Sequence, residues 1–447
     1  MVINIPDNVS KLLSELERQG FEAYIVGGCV RDGILGKPPA DFDIATSATP
    51  EEIKLVFESY KTIDTGIKHG TVTVIADEGT PVEVTSYRID GTYTDNRRPD
   101  DVVFTRRIEE DLSRRDFTVN AMAYSPKRGF IDIYGGAHDL FAQTIRCVGD
   151  PEMRFGEDAL RILRALRFAS KLRFTIDADT AANIHRCKDS LMNVSAERIG
   201  KELELFLVGS PTDLLIQFSD VISVFIPEIQ PCVGFEQHSK YHVYDVWKHT
   251  ATAVGAAKPD RLVRLALLFH DLSKPECYHP DSLGAGHFSG HEKTGAALTE
   301  TIMRRLKFDN ATVETVTTLV RYHYVAPVTD RASVKKILSE IGFEKLVLLT
   351  EVIKGDNLAK HAMCFERVEL STKMREVAED IVNSRECYDL SMLETDGNEI
   401  AKTGATGKEI GKILRMLLDE VIEEELKNNY VTLQARAAEI YKALYYR

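Results

Sequence analysis

The pattern of apolar and polar residues changes once along the chain, near residue 150. Before that point, short runs rich in valine, isoleucine and threonine end at glycine, proline or aspartate, as in "EAYIVGG", "DFDIAT" and "PVEVTSYRI". Such runs are typical of β-strands. The segment "PEEIKLVFESY" begins with proline and has acidic residues in its first turn, which predicts a helix. These segments together predict an α/β unit.

After residue 150, apolar residues recur at helical spacing. The segments "EDALRILRALRFASKL" and "AERIGKELELFLVGS" show this period, and so does the closing "LLDEVIEEELKNNYVTLQARAAEIYKALYYR". Hardly any convincing strand is predicted from there to Arg447. We therefore expect an α/β head followed by an all-α remainder.

Composition limits the class of protein. A chain of 447 residues exceeds one ordinary domain. It has no apolar run of about 18 residues and no signal-peptide pattern at its start, so neither a membrane span nor a secretory leader is predicted. Seven scattered cysteines suggest reduced thiols in a cytoplasmic protein. The net charge of −13 argues against a globally basic nucleic-acid binder, but a local basic strip stays open.

Two aspartates carry the first chemical signal. Asp41 and Asp43 are separated by one residue, and residues i and i+2 of a strand point to the same face. We expect both to lie on one short strand. Adjacent carboxylates repel, and a shared hard cation such as Mg²⁺ relieves that repulsion. In phosphoryl transfer such ions activate a hydroxyl and neutralise the departing pyrophosphate. An Asp-x-Asp by itself is also common at strand ends.

A glycine pair precedes these aspartates. Gly27 and Gly28 end a predicted strand, and a predicted helix that carries Arg31 follows. Glycine lets backbone amides approach phosphate, and an arginine adds a charge-assisted contact. A glycine pair alone is more often a turn. Together with the aspartates it predicts a site for a triphosphate and two metal ions.

The stretch "GGCVRD" followed by "DFDIAT" resembles the signature of tRNA nucleotidyltransferases and bacterial poly(A) polymerases, in the polymerase-β-like superfamily. The segments "EVTSYRIDGTYTDNRRP", "EEDLSRRDFTVNAMAY" and "FGEDALRILRALRFASKL" follow in the family's order. The chain is most similar to bacterial-type, class II CCA-adding enzymes, which build the 3′-terminal CCA of tRNA without a nucleic-acid template. This resemblance implies Mg²⁺ as cofactor and tRNA, CTP and ATP as partners. It implies no membrane and no obligate protein partner.

The resemblance also implies roles for individual residues. Asp41 and Asp43 hold Mg²⁺, and Glu83 is either a supporting carboxylate or an exposed strand residue. The "RRD" stretch matches the motif for ribose and phosphate recognition, where an aspartate accepts from a 2′-hydroxyl. Without the family it suggests only a surface charge cluster. The matched nucleotide-binding residues are Gly27, Gly28, Arg31, Arg114, Arg115 and Asp116.

Helical spacing in "GEDALRILRALRF" places Asp158, Arg161 and Arg164 within an arc of roughly 120° on one predicted helix. Ion pairing on a solvated face is the simpler interpretation. Cytosine and adenine share an amino donor beside a ring-nitrogen acceptor, however, whereas guanine and uracil present a carbonyl beside an N–H. Asp158 accepts and Arg161 donates, so the pair matches C and A. Arg164 and Arg167 are expected to hold phosphate or to brace the pair.

The composition of the segment between the catalytic strands and "RRD" helps to distinguish between the related nucleotide-adding activities. Relatives that add only CC lack a flexible loop there, whereas "RIDGTYTDNRRPDDVVF" is rich in turn residues and is predicted to move. This favours full CCA addition over CC addition. A-only addition and poly(A) synthesis stay open. So does an HD phosphohydrolase whose head binds RNA, while a non-catalytic RNA-binding protein would not need these residues.

A second group of candidate metal-binding residues lies in the helical region. His249, then adjacent His270 and Asp271, and later Asp356 resemble the HD phosphohydrolase superfamily, which implies a second divalent metal bound by these four residues. Imidazole with carboxylate suits transition metals, Mg²⁺ or Mn²⁺ in a hydrolytic site. Active members usually have His-Asp-x-Gly-Lys. Ser273 replaces that glycine, which leaves hydrolysis open. Further imidazoles in this region are His287, His291 and His323.

Four domains are expected from these patterns. They are a nucleotidyltransferase head at 1–145, a helical neck with base recognition at 146–235, an HD helical domain at 236–365 and a tRNA-binding helical tail at 366–447.

Overall fold

The computed structural model describes residues 3–91 and 102–445. The chain forms two compact units, Met1–Pro227 and Glu228–Arg447. The four predicted domains are a finer division than these units and stay a prediction. Residues 92–101, the centre of the loop that is predicted to move, lie outside the described residues, so its mobility also stays a prediction.

The first unit is built on a mixed β-sheet. Its described strands are β1 Ala23–Val26, β2 Asp43–Thr46, β3 Lys61–Gly66, β4 Thr71–Ile75, β5 Pro81–Ser86, β6 Arg88–Asp90, β7 Val102–Phe104, β8 Ala123–Ser125, β9 Gly129–Ile131, β10 Thr144–Ile145 and β11 Thr175–Ile176. Seven of them form one sheet in the order β3-β4-β5-β2-β1-β8-β9. Strands β2 and β5 pair in parallel, and the other neighbours pair in antiparallel.

Eleven α-helices complete the described part of the first unit. They are α1 Asp7–Arg18, α2 Gly28–Ile34, α3 Pro50–Val56, α4 Ile108–Ser113, α5 Gly136–Phe141, α6 Pro151–Glu157, α7 Leu160–Leu172, α8 Ala178–Cys187, α9 Ala196–Leu207, α10 Thr212–Gln217 and α11 Ser219–Ile222. Helix α3 begins at Pro50, as predicted, because Thr49 and Glu52 form a capping box there.

Apolar strand residues place the core of this unit at the centre of the sheet. Strand β1 is buried along its whole length, and Tyr24 and Val26 pack with Ala45 of β2 and Leu112 of α4. A strand that is buried on both faces needs a continuous apolar sequence, and "AYIV" provides one. The polar ends of β1 and β2 therefore lie at the rim of a rigid core, which is where the candidate site is found.

The second unit is helical, as the periodicity predicts. Its α-helices are α12 Val246–Ala256, α13 Arg261–Phe269, α14 His291–Arg305, α15 Asn310–Tyr322, α16 Arg331–Ile341, α17 Phe343–Leu358, α18 Phe365–Asn383, α19 Gly397–Ala401, α20 Lys408–Ile422 and α21 Tyr430–Tyr445. Two-residue strands β12 His279–Pro280 and β13 Gly286–His287 form a small hairpin. Helices α12, α13, α15 and α17 pack against one another, and α19 to α21 enclose a separate apolar cluster.

Within the described ranges, no helix is both long enough and apolar enough to cross a membrane. All seven cysteines are free thiols, and Cys29, Cys147, Cys232 and Cys364 are buried.

Candidate active site and candidate metal centre

Three carboxylates meet at the start of β2. Asp43 is the first residue of the strand and lies opposite Glu83 of β5 in parallel register. The prediction that both aspartates lie on the strand is wrong for Asp41, because β2 begins only at Asp43. The predicted position of Glu83 beside Asp43 follows directly from the register, and its role as a ligand stays a prediction.

The charge on these carboxylates is unfavourable without a cation. Burial raises the pKa of Asp43 to about 6, and the neighbouring carboxylates of Asp41 and Glu83 contribute to the rise, while Arg115 opposes it. Acceptor-only oxygens that repel one another are the donors that a hard divalent cation prefers. These three residues therefore fit a divalent metal ion.

The glycine pair lies between two guanidinium groups. Gly27 has φ 74° and ψ −127°, a backbone conformation that residues with a Cβ rarely adopt. A Cβ at Gly27 would lie 3.1 Å from Arg115 Nη1, and one at Gly28 would lie 3.6 Å from Arg31 Nη2. Side chains here would fill the space next to both cations. The glycines thus leave room for an anion against the backbone.

Arg31 is buried and fixed in direction. Its Nη1 donates to Asn120 Oδ1 at 2.7 Å, and its guanidinium lies 5.6 Å from the centre of the Phe168 ring. Arg164 and Arg167 lie 5.4 and 4.2 Å from the centre of the same ring. One aromatic ring thus contacts three cations, each contact contributing on the order of 1 kcal/mol.

Asp111 anchors Arg114 and Arg115 and is itself fully buried. Arg114 Nη2 donates to Oδ1 at 2.7 Å, and Arg115 Nη2 donates to Oδ2 at 3.2 Å. Burial opposes ionisation of this carboxyl group, but the two guanidinium groups hold its pKa below the usual range. Sequence reasoning missed Asp111, because an acid three or four positions before an arginine is also typical of a solvated helix.

Asp116 pairs with Arg164. Its Oδ2 accepts from Arg164 Nε at 2.9 Å and from Nη2 at 2.5 Å, while Oδ1 accepts from Asn120 Nδ2 at 3.2 Å. Burial opposes the charge, yet Arg164 and Asn120 hold the pKa of Asp116 below its usual range. Asp116 therefore orients Arg164 in this structure, and its contact with a ribose 2′-hydroxyl stays a prediction.

Asp158 lies at a break between α6 and α7. Its backbone is extended, with φ −137° and ψ 103°, and its Oδ1 accepts from the Leu160 N–H at 3.1 Å. The prediction of one helix through Asp158, Arg161 and Arg164 is wrong for Asp158. Periodicity does not reveal a break at which an aspartate side chain satisfies the next helix's first N–H groups. Asp158 Oδ2 accepts from Arg198 Nη2 at 2.8 Å, which fixes the carboxylate.

The two remaining predicted arginines are also fixed. Arg161 Nη1 donates to Glu157 Oε2 at 2.5 Å, and its Nη2 donates to the Arg114 carbonyl at 2.9 Å. Arg167 Nε donates to Glu202 Oε2 at 2.6 Å. Glu202 and Arg198 lie one turn apart on α9, a helix to which sequence reasoning assigned no role because its charges fit an ordinary amphipathic pattern.

One cavity of about 520 Å³ brings the predicted residues together. That volume lies within the usual range for small-ligand pockets. Residues that sequence reasoning did not assign to the site, Asn120 and Arg198 among them, also line it. The predicted residues that line it are Gly27, Gly28, Arg31, Asp41, Asp43, Glu83, Arg114, Arg115, Asp116, Asp158, Arg161, Arg164 and Arg167.

In the second unit, His249, His270, Asp271 and Asp356 converge and are all buried. His249 Nε2 lies 3.1 Å from Asp356 Oδ1 and 3.4 Å from Asp271 Oδ2. His270 Nε2 lies 3.1 Å from Asp271 Oδ2 and 3.6 Å from Asp356 Oδ1. Residues from α12, α17 and the end of α13 thus meet within one ligand sphere.

The His270 ring shows that this set fits a metal. Its Nδ1 donates to the Leu267 carbonyl at 2.6 Å, so Nε2 faces the carboxylates. This buried Nε2 lies 3.1 Å from Asp271 Oδ2 but forms no well-aligned hydrogen bond within the described residues. Buried polar atoms are usually paired. Imidazole nitrogen and carboxylate oxygen together are the donors of a transition-metal site.

Two lysines balance the carboxylates of this set. Lys274 Nζ lies 2.7 Å from Asp271 Oδ2, and Lys360 Nζ donates to Asp356 Oδ2 at 2.6 Å. Burial opposes ionisation, but His270 and Lys274 hold the pKa of Asp271 well below its usual range, and Lys360 and His249 do the same for Asp356.

The serine after the His-Asp pair is accommodated without displacing a ligand. Ser273 is buried, and its hydroxyl donates to the His291 carbonyl at 2.8 Å. It packs against Gly295, where an added Cβ would lie 3.1 Å from the Ser273 oxygen. A cavity of about 1050 Å³ opens beside this site, lined by Lys274, Lys360, His323, Tyr324 and Arg367 among others.

Comparison with known protein families matches three segments of the chain. Residues 23–146 match the model of the poly A polymerase head domain. Residues 173–230 match a model described as a probable RNA and SrmB-binding site of polymerase A, and residues 240–348 match the HD domain.

Several similar proteins are named CCA-adding enzymes. A CCA-adding enzyme of Leuconostoc mesenteroides is 48% identical over 218 residues, which are 48% of this chain and 54% of that protein. One from Ligilactobacillus salivarius is 50% identical over 224 residues, or 49% and 55%. The chain thus spans about half the length of the curated relatives that it matches. It contains a segment that matches the poly A polymerase head domain, and the curated relatives that it matches are CCA-adding enzymes.

Solved structures of CCA-adding enzymes are similar to this protein over nearly the whole chain. The crystal structure of a Bacillus stearothermophilus CCA-adding enzyme in complex with CTP is 27% identical, with a TM-score of 0.74. The match covers 98% of this chain and 97% of that one. A Thermotoga maritima CCA-adding enzyme complexed with tRNA is 19% identical with a TM-score of 0.56, which supports the fold alone. The predicted α/β head with a helical HD remainder is confirmed.

A substitution of Asp111 tests its pairing with Arg114 and Arg115. We expect Asp111→Asn to lower the free energy of unfolding by about 3 kcal/mol at pH 7, because it removes the buried carboxylate that pairs with the Arg114 and Arg115 guanidinium groups. A carboxyl group with a lowered pKa stabilises the fold above its unfolded pKa of about 4, and that contribution is lost as pH falls through the folded value. The difference between variant and wild type should therefore shrink below pH 4.

Urea unfolding from pH 8 to pH 3 measures this difference. Asp64→Asn is the control, because Asp64 is exposed and pairs only at the surface with Lys54. A loss in Asp111→Asn that is equal at all pH values would contradict the assignment.

Proposed function

We propose that this protein adds CCA to the 3′ end of tRNA, using CTP and ATP without a nucleic-acid template. The observation that carries the proposal is the meeting of Asp41, Asp43 and Glu83 in one cavity with eight arginines and glycines that are predicted to contact a nucleotide. The names of the similar proteins support it. CCA addition, A-only addition and poly(A) synthesis share this head, so the assay must separate them.

The catalytic part of the mechanism rests on the three carboxylates. Asp41 and Asp43, with Glu83 beside them, would hold Mg²⁺. An ion held there would supply the positive charge that activates the 3′-hydroxyl of the RNA and neutralises the departing pyrophosphate. Arg31 and Arg115 lie on either side of the glycine pair, where they bind the triphosphate. Their positions are set before the nucleotide arrives, by Asn120 and Asp111 respectively.

Base selection is assigned to a fixed acceptor and a fixed donor. Arg198 and the Leu160 N–H hold the Asp158 carboxylate, while Glu157 and a backbone carbonyl hold Arg161. A carboxylate accepts from the exocyclic amino group shared by C and A, and a guanidinium donates to the adjacent ring nitrogen. G and U would present a carbonyl to the carboxylate and an N–H to the guanidinium, and each such mismatch costs on the order of 1–3 kcal/mol.

We expect Asp41→Ala and Asp43→Ala each to reduce nucleotide addition by more than tenfold while the fold is kept. The reason is that each change removes an oxygen ligand of the metal. The substrates are tRNA transcripts that end before CCA, after C and after CC, offered each nucleotide singly and together. Glu58→Ala is the control, since Glu58 is an exposed carboxylate outside the cavity.

The wild-type products decide between the related activities. Products that stop at CCA support the proposal, whereas long A tails replace it with poly(A) synthesis. Addition of a single A to transcripts that already end in CC, with no C addition, replaces it with A-only activity. A variant that keeps more than a tenth of the wild-type rate, with an unchanged circular dichroism spectrum, contradicts the metal assignment.

Asp158→Ala and Arg161→Ala should lower the preference for C and A over U and G by about tenfold or more, beyond any loss of rate. Single-nucleotide incorporation with each of the four triphosphates measures this ratio. Lys171→Ala, an exposed change on the same helix as Arg161, should leave the ratio unaltered. A reduced rate with unchanged selectivity would assign Asp158 and Arg161 to structure alone.

A second activity is favoured by the buried set around Asp271. We propose that His249, His270, Asp271 and Asp356 hold a divalent ion that supports hydrolysis of phosphate esters. Phosphorylated or 2′,3′-cyclic phosphate ends of RNA are the expected substrates, since removing them would make a damaged tRNA ready for addition. Lys274 and Lys360 lie at the adjacent cavity and provide cations for a phosphate group.

We expect His270→Ala and Asp271→Ala to abolish this hydrolysis and to leave nucleotide addition within about twofold of wild type, because the two sites belong to different units of the chain. Transition metals such as Ni²⁺ or Mn²⁺ should support it best, given the imidazole donors. Hydrolysis of RNA ends that carry each phosphate form is assayed with several divalent ions. Absence of hydrolysis with every ion would leave this region as a support for the tRNA.

A further inference from the structure

The cavity beside the buried metal set has room for more than one phosphate group. Its volume of about 1050 Å³ is roughly twice the 520 Å³ of the cavity in the head, and it reaches the upper end of the range for small-ligand pockets. Its lining includes Asp271 of the metal set, and also Lys360 and Arg367, which lie beyond the segment that matches the HD domain. A ligand with its phosphate at Asp271 would leave most of this space for other groups.

Lys274 has no N–H left for a ligand. Its ammonium group lies 2.7 Å from Asp271 Oδ2, donates to Gln237 Oε1 at 2.9 Å and lies 3.4 Å from His242 Nε2. A lysine has three donors, and these three neighbours use all of them. The side chain is also buried. Lys274 therefore supports Asp271, and it acts on a phosphate group only through its charge.

The charges at the metal set are matched in pairs. Lys274 balances Asp271, and Lys360 donates to Asp356 Oδ2 at 2.6 Å. A divalent ion held by this set would match the charge of about −2 that one terminal phosphate group carries. No positive charge of the set is then left over. A second phosphate group in the cavity needs a further cation.

Arg367 provides such a cation. It lies in the first turn of α18, and its side chain is partly buried at the cavity. Among the described residues, its buried Nε has no hydrogen-bond partner and no carboxylate forms an ion pair with it. Glu292, an acid of the lining outside the metal set, lies instead 3.7 Å from His291 Nδ1. Because a partly buried guanidinium group without an anion is unfavourable, the binding of a phosphate group would satisfy Arg367.

Exposed aromatic side chains line the same cavity. Tyr324 is 64% exposed and Tyr241 is 46% exposed. Exposed aromatic rings are the surfaces on which the bases of single-stranded RNA stack. Lys240 Nζ lies 5.0 Å from the centre of the Tyr241 ring, which adds a cation at the same place. Cations beside exposed aromatic rings favour a nucleic-acid strand over a small phosphate ester.

We propose that Arg367 binds the phosphodiester group that precedes a terminal phosphate, and that Tyr324 stacks on a base of the same strand. The cavity then acts on the phosphorylated end of an RNA chain in preference to a free nucleoside phosphate. The inference rests on the proposed function in placing the reacting phosphate at the metal set. Binding through Arg367 and Tyr324 does not itself require hydrolysis, so the two can be tested separately.

The first test compares a 3′-phosphorylated trinucleotide with a free nucleoside 3′-monophosphate that has the same terminal base. Hydrolysis transfers the phosphoryl group to water and gives inorganic phosphate and a 3′-hydroxyl. In the full-length protein with Mn²⁺, kcat/KM of the wild type should be about tenfold higher for the trinucleotide. Arg367→Ala should remove this preference, mainly through KM, and leave the mononucleotide within about twofold of wild type. Arg367→Lys should keep part of the preference, and Lys373→Ala, an exposed change on α18, should keep all of it.

The second test locates the bound strand without hydrolysis. A trinucleotide that ends in a 3′-methylenephosphonate, which is not hydrolysed, carries 5-iodouracil in the nucleotide before the last. It is irradiated with the full-length protein in Mn²⁺, and mass spectrometry identifies the crosslinked residue. The crosslink should map to Tyr324, and Arg367→Ala should weaken it while Lys373→Ala should not.

The outcomes separate this inference from the proposed hydrolase. Equal kcat/KM for both substrates in the wild type, or an equal loss for both in a folded Arg367→Ala variant, overturns the inference and leaves the hydrolysis. A crosslink at Tyr324 that Arg367→Ala removes, without hydrolysis of either substrate, overturns the hydrolase and supports binding of an RNA end. Crosslinks confined to the head, or none at all, overturn the inference whether or not hydrolysis occurs.

Discussion

The parallel pairing of β2 with β5 is the constraint on which the candidate active site depends. It sets Asp43 opposite Glu83, and it does so through backbone hydrogen bonds between two strands with largely buried apolar residues. A shift of one residue would turn Glu83 to the other face of the sheet and bury the wrong side chains. Burial of apolar residues in the core therefore offsets the unfavourable free energy of bringing mutually repelling carboxylates together. The strand pairing thus sets the position of Asp43 beside Glu83, and burial together with the neighbouring carboxylates raises the pKa of Asp43.

The arginines around this cluster follow from the same principle. Each is tied at one edge to a carboxylate or a carbonyl, as in Arg115 with Asp111, Arg164 with Asp116 and Arg167 with Glu202. A guanidinium group has five N–H donors, so one occupied edge orients the group without using all of its donors. Such preorganised cations bind an anion at a lower entropic cost than mobile surface arginines. This explains how a chain with a net charge of −13 can still present a locally cationic cavity.

Residues whose chemistry is local were predictable from the sequence, and residues that act through distant partners were not. The aspartate pair, the glycine pair and the helical remainder follow from spacing and periodicity alone. The break at Asp158 was missed because a capping aspartate inside a helical pattern resembles a surface aspartate. Asn120, Arg198 and Glu202 were missed because their partners lie 35 to 89 positions away in the chain. Only the fold brings such residues together, so no local pattern marks them.

Both candidate sites bring carboxylates close together, and the two sites offset the resulting repulsion in different ways. In the head, the carboxylates are exposed at a cavity and arginines stand at its walls, so water and ions can reach the charge directly. Around Asp271 the carboxylates are buried, and lysines and imidazoles pair with them. A buried carboxylate without a partner costs several kcal/mol, which is why Lys274 and Lys360 stand where they do.

A lysine balances the charge of only one oxygen of each aspartate, however. The other oxygen of Asp271 faces the ring nitrogens of His291 and His323, and that of Asp356 faces those of His249 and His270, so nitrogen and oxygen donors are directed at one another. The residues of this site therefore favour metal binding even though its charge is already largely balanced.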